Sequence, residues 1–292
     1  MNLTTISTLI VEFFVFSCMG WIMEVILKFI QYKRFINRGF LIGPYCPIYG
    51  WGVVLVTVVV GELVKGKTSL LYTFVIGFFI CGALEYFTSW YMEKRFHARW
   101  WDYSQKPLNI NGRVWLGNLI LFGIGSVIII WLIDPLFFGI MERQSDFAVK
   151  LAALMIIVLM TADYAVSHFL MASVRSEIDT QEGDSTEQIS KQIHLILKDK
   201  NMLIRRIHQA YPQLQARPRF LADQLKKAKE DLRQARKHTK DVLKNIRKLA
   251  DSEGEEYEVK MREILEEAVA AQKKALAEFR EAERKFFFRY KK

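Results

Sequence analysis

An all-α, polytopic membrane protein with about five transmembrane helices and a C-terminal cytoplasmic helical, coiled-coil hairpin is the architecture predicted by three features of this sequence. Apolar runs long enough to cross a bilayer recur between Ile6 and Ala172. Charge is concentrated behind them: net +3 up to Ala172 and net +7 from Ser173 onward, within a chain of 292 residues that is 51% hydrophobic and carries +10 overall. From Leu221 on, apolar and small residues recur at alternating four- and three-residue steps.

A hydrocarbon layer needs about 20 apolar residues of helix. Five stretches qualify: Ile6–Ile30, Pro47–Val64, Leu70–Met92, Val114–Ile133 and Phe147–Ala172. An odd number of spans puts the termini on opposite sides. The segments after the first, third and fifth stretches hold Lys28, Lys33, Arg34 and Arg38, then Lys94, Arg95, Arg99, Lys106 and Arg113, then Arg175 and the basic tail. The other loops hold only Lys65, Lys67, Arg143 and Lys150. The positive-inside rule therefore predicts an N-terminus outside and a cytoplasmic tail. No basic n-region precedes the first run, so it reads as an anchor rather than a cleaved signal.

One motif points elsewhere. "GELVKGKT", Gly61–Thr68, fits the phosphate-cradling pattern G-x-x-x-x-G-K-[ST], which works only between a buried parallel strand and a helix. Here it falls in an outer loop, and no further strands follow to build the sheet, so it reads as a coincidence. Cys18, Cys46 and Cys81 lie in membrane segments with no metal-ligand spacing and read as small hydrophobes. No metal and no cofactor is predicted.

The first and third spans end alike, in "EVILKFIQYKRF" (Glu24–Phe35) and "EYFTSWYMEKRF" (Glu85–Phe96), each followed by a polar loop and a returning span. This suggests a direct repeat, residues 1–66 and 67–140. Together "CMGWIMEVILKF", "KRFINRGFLIGPYCPIYGWG" and "LEYFTSWYMEKRFHARWWDYSQKPLNINGR", from about Cys18 to Asn118, resemble the putative ABC-transporter type IV (CmpB-like) membrane proteins. The resemblance, to a bacterial family, implies a permease-like component of a bacterial inner membrane. Coupling to ATP would then require a separate ATPase subunit.

Ionisable groups inside a span are expensive and face protein or a watery cavity. Glu12, Glu62 and Asp134 stand near the outer ends, where interfacial solvation is the expectation. Glu85 is nine residues before Lys94, about 13 Å deeper at 1.5 Å per residue, and Ser89 and Glu93 continue its stripe toward the cytoplasm. Glu24 is its counterpart in the first half. Two carboxylates facing a shared axis would need cations, and Arg38 and Arg113 stand in the two cytoplasmic loops to supply them.

The loop "NRGFLIGPYCPIYGWG", with Asn37 and Arg38, holds too many Gly and Pro residues for a helix before Pro47 and reads as a re-entrant turn. The loop after the third span combines Trp100, Trp101 and Tyr103 with Asp102, Asn109, Asn111 and Arg113. These residues with Glu24, Glu85 and Glu93 make a candidate ligand site, suited to a lipid headgroup or an anionic ligand. No catalytic constellation is recognisable. On the last span, Asp163 and Ser167 share a face with His168 beside them, and a buried Asp bonded to a neighbouring helix is the expected role.

Residues 173–218 read as a polar connector and a helix running to Tyr211, before Pro212 and Pro218. Residues 219–292 read as an antiparallel coiled-coil hairpin. Leu221, Leu225, Ala228, Leu232, Ala235, Thr239, Val242, Ile246 and Leu249 form one seam, "DSEGEE" (Asp251–Glu256) the turn, and Tyr257, Met261, Ile264, Ala268, Ala271 and Ala275 the other. The first arm holds 12 Lys+Arg against 4 Asp+Glu over Arg217–Ala250, which suits anionic lipid or an acidic protein face. Aromatics are not interleaved with these basic residues, so nucleic acid is not an expected partner. Small seam residues favour an added partner helix or a homo-oligomer. The sequence thus predicts a transport-type membrane component with a polar site on the cytoplasmic side and a docking arm. The alternatives are a membrane scaffold and an interfacial enzyme acting on lipid headgroups.

Overall fold

The computed structural model describes residues 2–33, 35–64, 69–181, 183, 185–199, 214–249 and 255–287. The first helix, α1 (Leu3–Tyr32), starts at Asn2, whose side chain accepts the Thr5 N–H at 2.8 Å, and stops at Lys33, whose left-handed backbone (φ 55°) returns its N–H to the Phe29 carbonyl. Residues 35–46 form no helix, and α2 (Pro47–Val64) begins on a proline, whose missing N–H would have no intrahelical partner there. Ser69 caps α3 (Leu70–Phe96), which ends at left-handed His97.

Next come α4 (Leu116–Ile128), a π turn (Ile129–Ile133) and α5 (Asp134–Met141), and then α6 (Asp146–Thr180). Four helices are long and apolar enough to cross a membrane: Leu3–Tyr32, Leu70–Phe96, the composite Leu116–Met141 and Asp146–Thr180. The apolar part of α2, Pro47–Gly61, is shorter. Large apolar side chains stand outward along these helices, Phe79, Leu136 and Phe169 among them, each about two-thirds or more exposed. The protein is a helical membrane protein.

Two boundaries differ from the sequence expectation. Pro135 does not end the fourth apolar stretch at Ile133, because the wider turn before it absorbs the lost hydrogen bond and the helix continues. The connector expected from Ser173 is largely helix: α6 runs to Thr180 and α7 (Thr186–Asp199) comes shortly after it.

In this region α1 packs on α2 and α3 on α4, with α2 against α3. Small residues set the spacing, as in membrane bundles generally. A Cβ on Gly50 would lie 2.2 Å from the Phe13 carbonyl oxygen, and one on Gly77 2.0 Å from Ser126 Oγ.

The chain separates into two compact units, Met1–Ser176 with His194–Leu214, and Glu177–Ile193 with Gln215–Lys292. The stretch expected as an independent connector, 173–218, is thus shared between them. In the second unit α8 (Arg219–Leu249) and α9 (Glu255–Phe286) run antiparallel side by side. Thr239 Oγ1 donates to the Ala268 carbonyl at 3.2 Å, while Arg217 reaches the Phe286 carbonyl and covers the Phe286 ring.

The α8 seam lies inward at every expected position up to Ile246. On α9, Met261, Ala268 and Ala275 face inward as expected, but Ile264 and Ala271 are exposed, and Leu265 and Gln272 take the inner side. Part of the turn Asp251–Glu256, the Tyr257 side chain, and the helix expected to reach Tyr211 lie outside the described residues beyond Asp199. Lys65 to Thr68 of the glycine–lysine motif do too.

Candidate functional site

The polar groups of the membrane unit gather into four clusters, three of which contain sequence-predicted residues. The first lies between α1, α2 and the loop joining them. Glu24, eight residues before the end of α1, accepts the Tyr49 hydroxyl at 2.7 Å and the Arg38 Nε–H at 3.4 Å. Asn37 accepts the Trp21 indole N–H at 2.7 Å and donates to the Ile42 carbonyl. The Arg38 partnership expected from sequence is present.

Glu85 is built the same way in the second hairpin. Its Oε1 accepts Asn118 Nδ2 at 3.0 Å and the Tyr103 hydroxyl at 3.3 Å, and Asn118 also bonds Tyr103 at 2.9 Å. Trp115 orients the amide by donating to Asn118 Oδ1 at 2.8 Å. Tyr49 and Asn118 are each the third residue of the returning helix. Each hairpin therefore donates to its own glutamate from the same place, an agreement that the four identical letters of the two sequence segments only hint at.

Glu24 and Glu85 lie within electrostatic reach of each other, and of Tyr103. Burial, and then the Glu85 charge, push the Tyr103 phenol well above its ordinary value, so it stays a donor. Glu85 Oε2 is buried with no hydrogen-bond partner.

Arg113, expected at a site shared by Glu24 and Glu85, lies elsewhere. Its guanidinium meets Glu93 at 3.2 Å and Ser89 Oγ at 3.2 Å, over the Tyr86 ring. The reason is reach along the helix: Glu93 stands two turns nearer the loop than Glu85. Arg99 joins Glu93 at 2.6 Å and Asp102 at 3.3 Å, so one carboxylate serves two guanidiniums, both nearly buried.

The rest of that loop is held by its own side chains. Asp102 accepts the Ser104 N–H at 3.0 Å, Trp101 donates to the Arg113 carbonyl at 3.0 Å, and Asn109 brackets a turn through Gly112 N–H and the Lys106 carbonyl. The short strands Asn109–Ile110 and Val114–Trp115 pair antiparallel across this turn. Asn111 stands outside on the Tyr86 hydroxyl at 2.9 Å. Trp100 is buried against Phe96 rather than placed at an interface. These residues build the loop, whereas Glu24, Arg38, Glu85 and Tyr103 are brought together.

The third cluster anchors the first loop. Asp163 on α6 accepts four hydrogen bonds: Ile42 N–H at 2.9 Å, Gly43 N–H at 2.7 Å, the Tyr45 hydroxyl at 2.5 Å and the Ser167 hydroxyl at 2.8 Å. Ile36, Leu41, Tyr45 and Cys46 are consequently buried. Asp163 is thus half-buried and bonds the loop between α1 and α2, not the neighbouring helix expected for it. His168 packs its ring on Phe96 and Tyr164.

The fourth cluster corrects an expectation. Glu12 and Asp134 are not solvated at an interface: they are 0% and 4% exposed, joined through Thr57. Of the three outer carboxyls, the Glu62 side chain alone lies outside the described residues.

Sequence reasoning passed over Arg99, Tyr49 and Asn118. Arg99 stood in the loop counted only for its charge, and the other two were visible solely as the third residues of helices whose starts were not yet fixed. Among the described residues no group of His, Cys, Asp and Glu could hold a metal ion. No curated protein and no solved structure matches the chain. The family model described as "Putative ABC-transporter type IV" matches residues 11–168, which covers all four clusters and more than half of the sequence, and the chain therefore belongs to that family.

Proposed function

We propose that this protein is a transport-type membrane component, non-enzymatic by itself, whose five apolar helices all cross a bacterial inner membrane. The N-terminus is then outside and the helical arm, residues 219–292, cytoplasmic, where it serves as a docking surface for a partner protein or anionic lipid. Any use of ATP falls to a separate subunit. The ligand site lies at the cytoplasmic ends of α1 and α3, around Glu24, Arg38, Glu85 and Tyr103.

One observation carries this reading: Glu85 is buried in a membrane helix, within reach of a second carboxylate, and one of its oxygens has no hydrogen-bond partner. A purely structural carboxyl at membrane depth gains nothing from an unmet acceptor, whereas a ligand bearing a donor or a positive charge would meet it. Headgroup amines and small cationic solutes have that chemistry.

The test is thermal unfolding of the purified protein in lipid nanodiscs against a panel of such solutes. A ligand at 100 times its Kd stabilises by about 2.7 kcal/mol. A shift seen for the intact protein and lost in Glu85→Gln supports the site. A shift that survives in Glu85→Gln and in Glu24→Gln places the ligand elsewhere.

The scaffold reading draws on a different observation. The Arg99, Arg113, Glu93 and Asp102 cluster is closed on itself, and closed ion clusters are what a rigid platform for the arm requires. It predicts no solute-dependent shift at all.

A further inference from the structure

We propose that Glu12, Thr57 and Asp134 form a proton-binding site inside the membrane domain, holding one exchangeable proton between two carboxyl groups. The site is separate from the Glu24 and Glu85 cluster and does not depend on the function assigned to that cluster.

The placement comes first. Glu12 is nine residues into α1, about 13 Å from its start, and Thr57 and Asp134 are each seven residues from the ends of α2 and α5, about 10 Å. Phe16 of α1 packs on Phe137 of α5, which closes the group from one side. Both carboxyls are almost fully buried.

Asp134 is delivered by an irregularity in its helix. Pro135 has no N–H, and its ring crowds the carbonyl four residues earlier. The chain answers with the π turn Ile129–Ile133, in which the Asp134 N–H bonds the Ile129 carbonyl, five residues back. The extra residue in that turn rotates the start of α5, and Asp134 points at α1 and α2.

Counting hydrogens then fixes the protonation. Thr57 Oγ1 lies 2.8 Å from Asp134 Oδ2 and 3.3 Å from Glu12 Oε1, yet a hydroxyl has one hydrogen to give. The hydroxyl can donate to only one of the two carboxyls, and a proton on the other lets that carboxyl donate to the hydroxyl oxygen in return. Glu12 Oε2 and Asp134 Oδ1 remain buried without partners, so the group has open acceptor positions into which the proton can move.

Among the described residues no cation offsets the pair. The electrostatic partners of Glu12 are Asp134 and Thr57, and those of Asp134 are Thr57 and Glu12. Other titratable groups on the packed elements sit farther along: Cys18, Glu24, Lys28 and Tyr32 on α1, Tyr49 on α2, Glu142 and Arg143 after α5, and Asp146, which pairs with Lys150 and meets Thr4 two turns before Glu12. Loss of the proton to water would leave two carboxylates facing each other in an apolar surround, and its return restores the hydrogen-bonded pair.

The measurement is infrared spectroscopy of the full chain in lipid nanodiscs, following the protonated-carboxyl stretching band as pH is raised in choline chloride. The expected result is a band worth one carboxyl at neutral pH that shifts in heavy water and disappears at alkaline pH. It should be retained in Glu85→Gln and lost in Glu12→Gln/Asp134→Asn.

Thr57→Val keeps both carboxyls, so it reads the site even if the double variant does not fold. The band should move to higher frequency there, because a hydrogen bond is missing. An unmoved band in Thr57→Val, a band that neither titrates nor exchanges, or identical spectra for the intact protein and a folded double variant each overturn the proposal. Loss of the band on replacing choline by sodium at constant pH overturns the proton assignment in favour of a sodium site.

Discussion

Replacing Asp163 by asparagine tests whether one α6 carboxylate holds the first loop in place. Its two oxygens each accept one backbone N–H, from Ile42 and Gly43, and one hydroxyl, from Ser167 and Tyr45 respectively. An asparagine must turn its NH₂ toward one of the two backbone N–H groups whichever way it is flipped. An orphaned amide costs about 1–3 kcal/mol when shielded from water, these two are half-buried, and the surviving bonds lose the charge that strengthened them, so the loop should be weakened by about 3 kcal/mol in all. That is on the order of a hundredfold in its opening equilibrium.

Cys46, buried at the end of this loop, reports the opening directly. In a background lacking Cys18 and Cys81, maleimide labelling of Cys46 should accelerate by about that factor in Asp163→Asn. Tyr45→Phe leaves the other three bonds intact and should accelerate labelling only about tenfold, for roughly 1.5 kcal/mol. Unchanged labelling in Asp163→Asn, or equal rates in the two variants, would refute the account of the anchor.

Three further outcomes are expected. Glu93→Gln leaves the guanidiniums of Arg99 and Arg113 buried without their shared carboxylate and should cost about 3–5 kcal/mol in detergent unfolding, whereas Lys106→Ala, on the exposed side of the same loop, should stay within about 0.5 kcal/mol. Gly50→Ala drives a methyl into the Phe13 carbonyl and should destabilise by about 1–3 kcal/mol, while Gly61→Ala, with nothing within 4 Å, should be silent in the same unfolding series. His194, whose ring nitrogen meets the Leu214 carbonyl, is held below its ordinary value of 6.5 by burial. The unfolded chain then binds the extra proton, so the contribution is complete above that value and is lost as pH falls below it. A fall in unfolding temperature on acidification that persists in His194→Gln would show that the slope comes from another group.

Length and apolar run were enough to read the helices, because a membrane helix must satisfy its own backbone whatever it packs against. The fourth stretch was read only to Ile133, before Asp134 and Pro135, yet the helix runs on: proline removes one hydrogen bond, and a π turn can absorb that loss where neighbouring helices hold the chain in place. Glu24 with Arg38 was legible because the two are separated by one short loop. Glu85 with Arg113 was not, since the intervening loop contains Arg99, and a second guanidinium makes Glu93 the better partner for both. Glu12 and Asp134 escaped altogether. Each alone resembles a carboxyl near the end of a span, and their meeting across 122 positions depends on the face that an irregular turn selects. On α9 the expected seam failed at Ile264 and Ala271, where Leu265 and Gln272 offered an equally good neighbouring stripe.

Charge accounting separates the clusters by what they lack. Asp163 is met by four donors, and Glu93 by two guanidiniums; neither has reason to bind anything more. Glu24 pairs with Arg38 and also has Lys28 within electrostatic reach, Glu85 keeps one oxygen that no donor meets, and Glu12 and Asp134 have no cation among their electrostatic partners. An uncompensated carboxylate at membrane depth costs about 2.5–3.5 kcal/mol on insertion scales, and glutamine or asparagine would supply hydrogen bonds at those positions without that cost. Amides would serve a scaffold better than carboxyls do. Acids at Glu85, Glu12 and Asp134, each with a buried oxygen that no donor meets, make sense if a proton or a cationic group arrives and leaves, which favours the transport-type reading over the scaffold.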